Sequence, residues 1–448
     1  MQKFCVLILS CFVLLTSIVG CGGPEEITNQ LDTDLENALK DASNGTGKSY
    51  YEFPSSDDFD KIPQDPTNPI TLAKVELGKL LFHETGIAVN PREPEGMNTY
   101  SCASCHHAQG GFQACKRQGI GEGGVGFGVS GEGRSINPNY PLDSLDLQPI
   151  RTPSALNIAY QQNVLWNGQF GGTGVNVGTE SQWTAGTPKE ANALGFEGTE
   201  TQAIAGLKVH RLDIESSFVS NSSYKALFDA AFPDIPEADR YTRITAGLAI
   251  AAYERTLLAS ESPFQKWLSG DDQAMTDEEK RGAILFFSKA GCYRCHNGPA
   301  LNSMAFYALG MPDLDGAGVY GTAGDDVEKK GRGGFTGRAQ DMYKFKVPQL
   351  YNLKDSPFYG HGATFYDLKD VVDYKNQAVS ANASVPNVQL ADEFKPLGLT
   401  SQEVEEIASF LEEGLHDPQL SRYVPNELPS GYCFPNNDTP AQIDLGCN

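Results

Sequence analysis

Two pentapeptides, Cys102-Ala103-Ser104-Cys105-His106 and Cys292-Tyr293-Arg294-Cys295-His296, repeat the pattern Cys-x-x-Cys-His about one domain length apart. Thiols three positions apart share one turn and can form thioethers to the two vinyl groups of one porphyrin, while the next imidazole reaches the iron as proximal ligand. A dithiol redox motif has no need of the histidine. Zinc would have to pair the two motifs across the chain and would leave a histidine over in each. The pattern therefore predicts two covalently bound c-type haems, held by Cys102, Cys105, Cys292 and Cys295 and ligated by His106 and His296.

The other cysteines have separate jobs. Met1 to Gly20 has a basic start, an apolar run and small residues before Cys21, the layout of a lipoprotein-type signal peptide in which Cys21 would be acylated. Cys5 and Cys11 would leave with that signal. Cys433 and Cys447 lie in a Pro- and Asn-rich tail, residues 425–448, and read as a local disulfide, whereas Cys115 has no evident partner. Export to the periplasmic face suits both haem attachment and a disulfide.

Composition narrows the field further. Lys and Arg number 34 against 57 Asp and Glu, a net charge of −23 that repels phosphate backbones and excludes nucleic acid as a partner. The membrane would be reached only through the lipid. Residues 21–65 are acidic, polar and Pro-punctuated, as expected of a flexible tether. Helical apolar spacing runs over residues 70–83 and 241–258, and capping boxes at Thr276 to Glu279 and Thr400 to Glu403 open two more helices. With 47 Gly and little period-two alternation, the fold class is mainly α and loop-rich. Gly119 to Gly124 satisfies GxGxxG but follows no strand, so a Gly-rich loop beside a haem edge is the better account.

The surroundings of both motifs resemble the bacterial di-haem cytochrome c peroxidase family, which includes MauG. The resemblance is carried by residues 77–82, 101–106 and 110–112, by Arg151 to Asn157 with Leu165 to Gly168, and by Glu200 to Ala203. Around the second motif it is carried by residues 291–298, Lys346 to Pro348, Pro357 to Gly362 and Leu368 to Val372. It implies two cytochrome c-like haem domains, residues 66–265 and 266–424, with the active site between them. The first haem would be peroxidatic and the second would relay electrons. The implied activity is reduction of hydrogen peroxide to water, with electrons from a small cytochrome c or cupredoxin. The alternatives are a MauG-like oxidase acting on side chains of a partner protein and a plain di-haem electron carrier.

Within that framework Trp166 falls where an aromatic relay is expected, and His210, or Glu200 earlier on the same helix, falls near the distal acid/base position. His361 lies in a segment packing near the second haem, while His83, His107 and His416 read as exposed helix positions. The stretch from Gly119 to Ile150 contains no histidine, which implies a first haem ready for peroxide without reductive activation. No Met follows Val372 closely, so Tyr374 is either the second axial ligand of the C-terminal haem or a packing residue, with Met304, Met311 and Met342 as other donors. One calcium ion between the haems is implied, although Thr152 stands where an Asn ligand is usual and backbone oxygens near Asp355 and Pro357 would have to contribute.

Overall fold

The computed structural model describes residues 24–214, 218–219 and 223–447; the signal segment and Cys21 lie outside the described residues. Helices carry the architecture, and among the described residues the only sheets are two antiparallel strand pairs of two residues a side. In the first, β1 (Gly124–Val125) pairs antiparallel with β2 (Ser135–Ile136), and in the second β3 (Phe306–Tyr307) pairs antiparallel with the distant β4 (Phe345–Lys346). The helices that position the site are α1 (Pro24–Ala42), α2 (Leu72–His83), α3 (Gly198–Val209), α4 (Arg243–Arg255), α5 (Asp277–Phe287), α6 (Leu368–Gln377) and α7 (Ser401–Ser409), followed by α8 (Thr439–Leu445) in the tail. Both expected capping boxes form: Thr276 and Thr400 accept from the amides of Glu279 and Glu403, whose carboxylates accept in return. Thr71 and Thr242 cap α2 and α4 in the same sense, which fixes where α2, α4, α5 and α7 begin.

The chain follows one path twice. Helix α2 crosses α4 so closely that a Cβ on Gly78 would lie 1.9 Å from the carbonyl oxygen of Ala249, and α5 crosses α7 with Gly282 meeting Glu406 at the same 1.9 Å. After each Cys-x-x-Cys-His loop comes a proline, Pro153 or Pro348, and four positions later a left-handed asparagine, Asn157 (φ 58°) or Asn352 (φ 54°). The amide of Asn157 donates to Leu257 and its Oδ1 accepts from Ala259; Asn352 makes the corresponding bonds to Leu415 and Asp417. Seven positions further, bridges Val164–Phe170 and Tyr359–Phe365 close two matching loops, and α3 and α6 follow. In the first copy residues 171–197 are inserted before the helix.

One apolar core runs through both copies, from Leu77 and Phe82 on α2 through Ala249 and Tyr253 on α4 to Phe286, Phe287 and Ile407. The two chain ends cross over it. Residues 24–42, expected as part of a free tether, form α1 and dock on α5: Leu35 and Leu39 are fully buried, and Asp32 accepts from Trp267 Nε1 (2.7 Å) and Lys280 Nζ (2.6 Å). The apolar residues at i and i+4 outweigh the acidic composition that suggested disorder. The tail grips the first half instead. Its Cys433–Cys447 disulfide frames α8, Asp438 forms a buried ion pair with Arg134 (2.9 Å), and Asp444 accepts from the amides of Phe127 and Gly128. Among the described residues no helix is long and apolar enough to cross a membrane.

Candidate haem-binding active site

Each Cys-x-x-Cys-His segment is a tight turn in which the histidine amide donates back to the first cysteine's carbonyl, at 3.1 Å for His106 and 2.9 Å for His296. His106 Nδ1 donates to Phe112 O at 3.1 Å; His296 Nδ1 donates to Leu301 O at 3.0 Å and to Pro348 O at 3.2 Å. Those bonds fix the tautomer and leave each Nε2 with a free lone pair, the arrangement a metal-ligating imidazole requires. Burial holds both rings neutral, pulling them down to about 4. Cys102, Cys105, Cys292 and Cys295 are free of one another. Both turns open on one cavity of about 990 Å³ with largely apolar walls. Two buried cations line it, Lys346 and Arg151, the latter with an Nε that has no partner. Paired thiols, free imidazole nitrogens, apolar walls and cations suited to propionates together fit two covalently attached haems.

Beside His106 the wall is polar. His210 ends α3, and its Nδ1 lies 2.7 Å from Asp146 Oδ2; the ring is 36% exposed, toward the cavity, whereas Asp146 is 6% exposed. Burial works to lower the His210 pKa, but the charge and hydrogen bond of Asp146 outweigh it and raise the pKa. Asp146 is pushed up by its own burial and pulled down further by His210 and Arg211, so it stays ionised below the usual carboxylate range. Glu254, on α4, also lines the cavity with one carboxylate oxygen unpartnered; burial first, then the nearby Glu200 charge, push it up to about 8. Nothing in the sequence marked Asp146 or Glu254, since neither stands in a motif and only the fold brings them to the wall.

On the wall of the same cavity, Trp166 donates its Nε1 to the Arg151 carbonyl (2.9 Å) and meets His361 edge to face with ring centroids 6.3 Å apart. His361 stacks on Phe345 at 3.7 Å and bonds Asp313 at 3.0 Å. Trp166 and His361 hold equivalent places in the repeat, each two residues past the start of its bridged loop.

A sequence model of the di-haem cytochrome c peroxidase family matches residues 72–273. The cytochrome-c peroxidase IdrP1 of Denitromonas iodatirespirans is 29% identical over 381 residues, covering 81% of this chain and 86% of that protein. MauG of Methylorubrum extorquens is 28% identical over 403 residues, covering 88% and 92%. The chain belongs to the di-haem cytochrome c peroxidase and MauG family. The fold agrees: a MauG-like protein associated with microbial copper homeostasis superposes with a TM-score of 0.54 at 22% identity, over 83% of this chain and 96% of that one. The family implies two c-type haems, one for each turn.

As a member of this family the chain departs from several expectations. Glu200 does not reach the cavity: it is fully buried, and both its oxygens are taken by Arg255 at 2.7 and 2.8 Å, so it cannot act as the peroxide acid/base. Tyr374 is not an iron ligand in this arrangement, because its hydroxyl donates to Leu309 O at 2.6 Å and its ring packs between Phe365 and Phe394, off the cavity wall. Lys375, one residue on, lines the cavity, and burial pulls it down to about 8. Met311 and Tyr307 also line it, whereas Met304 and Met342 do not.

The calcium expectation fails on charge. Arg151 is a buried cation beside Ser356 (3.1 Å), the Asp355 carbonyl accepts from the Cys115 thiol (3.1 Å), and a Cβ on Gly119 would lie 2.5 Å from the Thr152 hydroxyl and 3.0 Å from the Cys105 sulfur. Those residues do not fit a calcium ion. His83 and His107 are buried rather than exposed, bonded to the carbonyls of Lys79 and Ser130, and His416 bonds Asp355. Gly119 and Gly121 of the GxGxxG stretch line the cavity, as a loop at a haem edge would.

Proposed function

We propose that the chain is an exported, lipid-anchored di-haem peroxidase that reduces hydrogen peroxide to water with electrons from a small cytochrome c or cupredoxin. The haem at His106 would react with peroxide and the haem at His296 would relay electrons, each seated in one copy of the repeated helical arrangement, residues 66–265 and 266–424. Cys21 would carry the anchor. The observation that carries this reading is the His210–Asp146 pair on the same cavity wall as His106.

When bound, the first haem supplies the iron redox chemistry that delivers two electrons to the O–O bond, and with two protons the products are two waters. The chain's own residues manage the protons. His210 Nδ1 is committed to Asp146, so its Nε2 takes the proton from the inner peroxide oxygen and returns it to the outer oxygen as that leaves as water. Asp146 holds the ring in that tautomer and compensates the charge it gains. Glu254, protonated at neutral pH, holds a proton at the cavity wall. Trp166 and His361 fill the space between the two turns with aromatic rings that exclude water from an electron path.

The test uses the purified holoprotein with a reduced small cytochrome as donor. Peroxide turnover with a ferric high-spin signal supports the reading, and His210→Ala should cut turnover on the order of a hundredfold or more with both haems retained. If no high-spin signal and no turnover are seen, the plain electron carrier is preferred. The match to MauG over 88% of the chain supports a second reading, oxidation of a partner protein's side chains. It takes precedence if peroxide is consumed stoichiometrically but small donors sustain no turnover.

A further inference from the structure

We propose that Lys375 is the second axial ligand of the haem held by His296, an inference that rests on the two-haem reading above. Helix α6 contributes Leu368, Val371, Val372 and Lys375 to the cavity wall, the i, i+3, i+4, i+7 set of one helix face. Tyr374 lies about 100° round the helix from Lys375, which is why its ring packs elsewhere. Lys375 is the one residue of that face with a donor atom. Among the described residues its side chain makes no hydrogen bond or ion pair, whereas Lys346, the other lysine deep in the wall, is bonded to Gln161. An amine placed in a largely apolar cavity without a partner is costly unless something in that cavity binds it. Its charge acts on Cys292, Cys295 and His296, which places it at the second attachment turn rather than the first.

The repeat supplies an independent comparison. Helix α3 presents Gln202, Ala203 and Gly206 to the wall at the spacing with which α6 presents Val371, Val372 and Lys375. The counterpart of Lys375 is therefore Gly206, where a Cβ would meet nothing closer than the Gln202 amide at 3.2 Å. One helix offers a nitrogen donor to its haem and the other has no side chain at that place, so the first iron keeps an open position and the second is closed. On binding, the ammonium gives its proton to solvent and the nitrogen lone pair forms the bond to iron. An amine is a harder donor than a thioether and favours the ferric state of that haem.

Met311 and Tyr307 are the competing donors on the same wall. The experiment is electron paramagnetic resonance with near-infrared magnetic circular dichroism on the ferric holoprotein, after haem quantitation has confirmed two haems per chain. The native protein should show one low-spin haem without a Met-to-iron band. Lys375→Met should create that band, and Lys375→Ala should convert the low-spin signal to high-spin. Met311→Leu and Tyr307→Phe should leave the low-spin signal in place. A low-spin signal that survives Lys375→Ala with both haems bound, or one lost in Met311→Leu or Tyr307→Phe, overturns the proposal. Should Lys375→Ala fail to fold, Lys375→Met carries the test, since it keeps the length and apolar stem of the side chain. The haem count and the separate high-spin signal of the first haem report on the peroxidase reading, so the two can fail independently.

Discussion

At Cys102–His106 and Cys292–His296 the backbone turn, the carbonyl-anchored imidazole, the following proline and the left-handed asparagine are the same, yet the cavity walls above them differ. The first wall carries His210, Asp146, Gln202 and Gly206; the second carries Lys375, Met311, Val371 and Val372. Attachment and proximal ligation are thus duplicated structural chemistry, and the copies differ in a few wall side chains on α3 and α6 and the loops beside them. If the proposed roles hold, reactivity is assigned by what the wall withholds as much as by what it supplies. On the proposed reading, a glycine leaves room for peroxide where a lysine closes the other iron.

The largest expected effect comes from exchanging that one difference. Gly206→Lys places an amine on the cavity wall of the first copy, where the added Cβ meets only the flexible Gln202 amide at 3.2 Å and the His210 ring at 3.9 Å. The expected outcome is loss of the ferric high-spin signal and a fall in peroxide turnover on the order of a hundredfold, about 3 kcal/mol in the barrier. Retention of full activity with a lysine at 206 would separate the open position from Gly206 and break the assignment of the reacting haem to the first copy.

The helix crossings test whether the copies share one folding unit. Gly78→Ala and Gly282→Ala each push a methyl into a backbone carbonyl at the same separation, so each should lower stability by about 1–3 kcal/mol and to a similar extent. Because the core is continuous and α1 and the tail each grip the opposite half, thermal unfolding of either variant should keep a single transition, read by calorimetry. Two resolved transitions would show that the halves unfold separately.

The comparison also marks where sequence reading succeeds. Cys-x-x-Cys-His, the capping boxes and the apolar period are local, and they locate the haem turns and helices α2, α4, α5 and α7 within a few residues. Which carboxylate meets His210 depends on a contact 64 residues away in sequence, and only the fold shows that Arg255 holds Glu200. The difference between Tyr374 and Lys375 is one residue of helix phase, which the pattern of buried positions on α6 resolves and composition does not. The acidic start of the chain shows the opposite: two buried leucines, Leu35 and Leu39, and one aspartate bonded to Trp267 suffice to dock a segment whose overall charge suggests disorder.

A smaller effect is expected at the His210–Asp146 pair. As proposed, His210 must be neutral to accept the first proton, so turnover should fall as pH drops through its raised pKa, and Asp146→Asn should move that limb to lower pH. Stability follows the linked signs. The raised histidine contributes stability that is complete below its unfolded value of about 6.5 and is lost as pH rises through its folded value. The depressed Asp146 contributes above the carboxylate range and loses its share as pH falls through its folded value. The melting temperatures of native and Asp146→Asn protein should therefore differ most at about pH 5 to 6 and converge in alkali. A difference that grows above that window would mean that the pair is not ionic in the folded protein.

The smallest effect separates the two rings that meet at the centre. Trp166 and His361 occupy equivalent places and touch each other, but only the indole can give up an electron readily, while His361 is tied to Asp313 and stacked on Phe345. Trp166→Phe keeps an aromatic ring of similar width and loses one hydrogen bond to the Arg151 carbonyl, a cost of about 1 kcal/mol that should leave both haems bound. If the indole carries electrons between the copies, the first reaction with peroxide should proceed at the native rate while re-reduction of the first haem by the second slows, seen in stopped-flow absorbance after a single equivalent of peroxide. His361→Phe keeps the stack on Phe345 and should leave that second phase unchanged. Equal slowing by both variants would mean that the rings act only as packing between the copies, and the asymmetry of function would then rest on α3 and α6 alone.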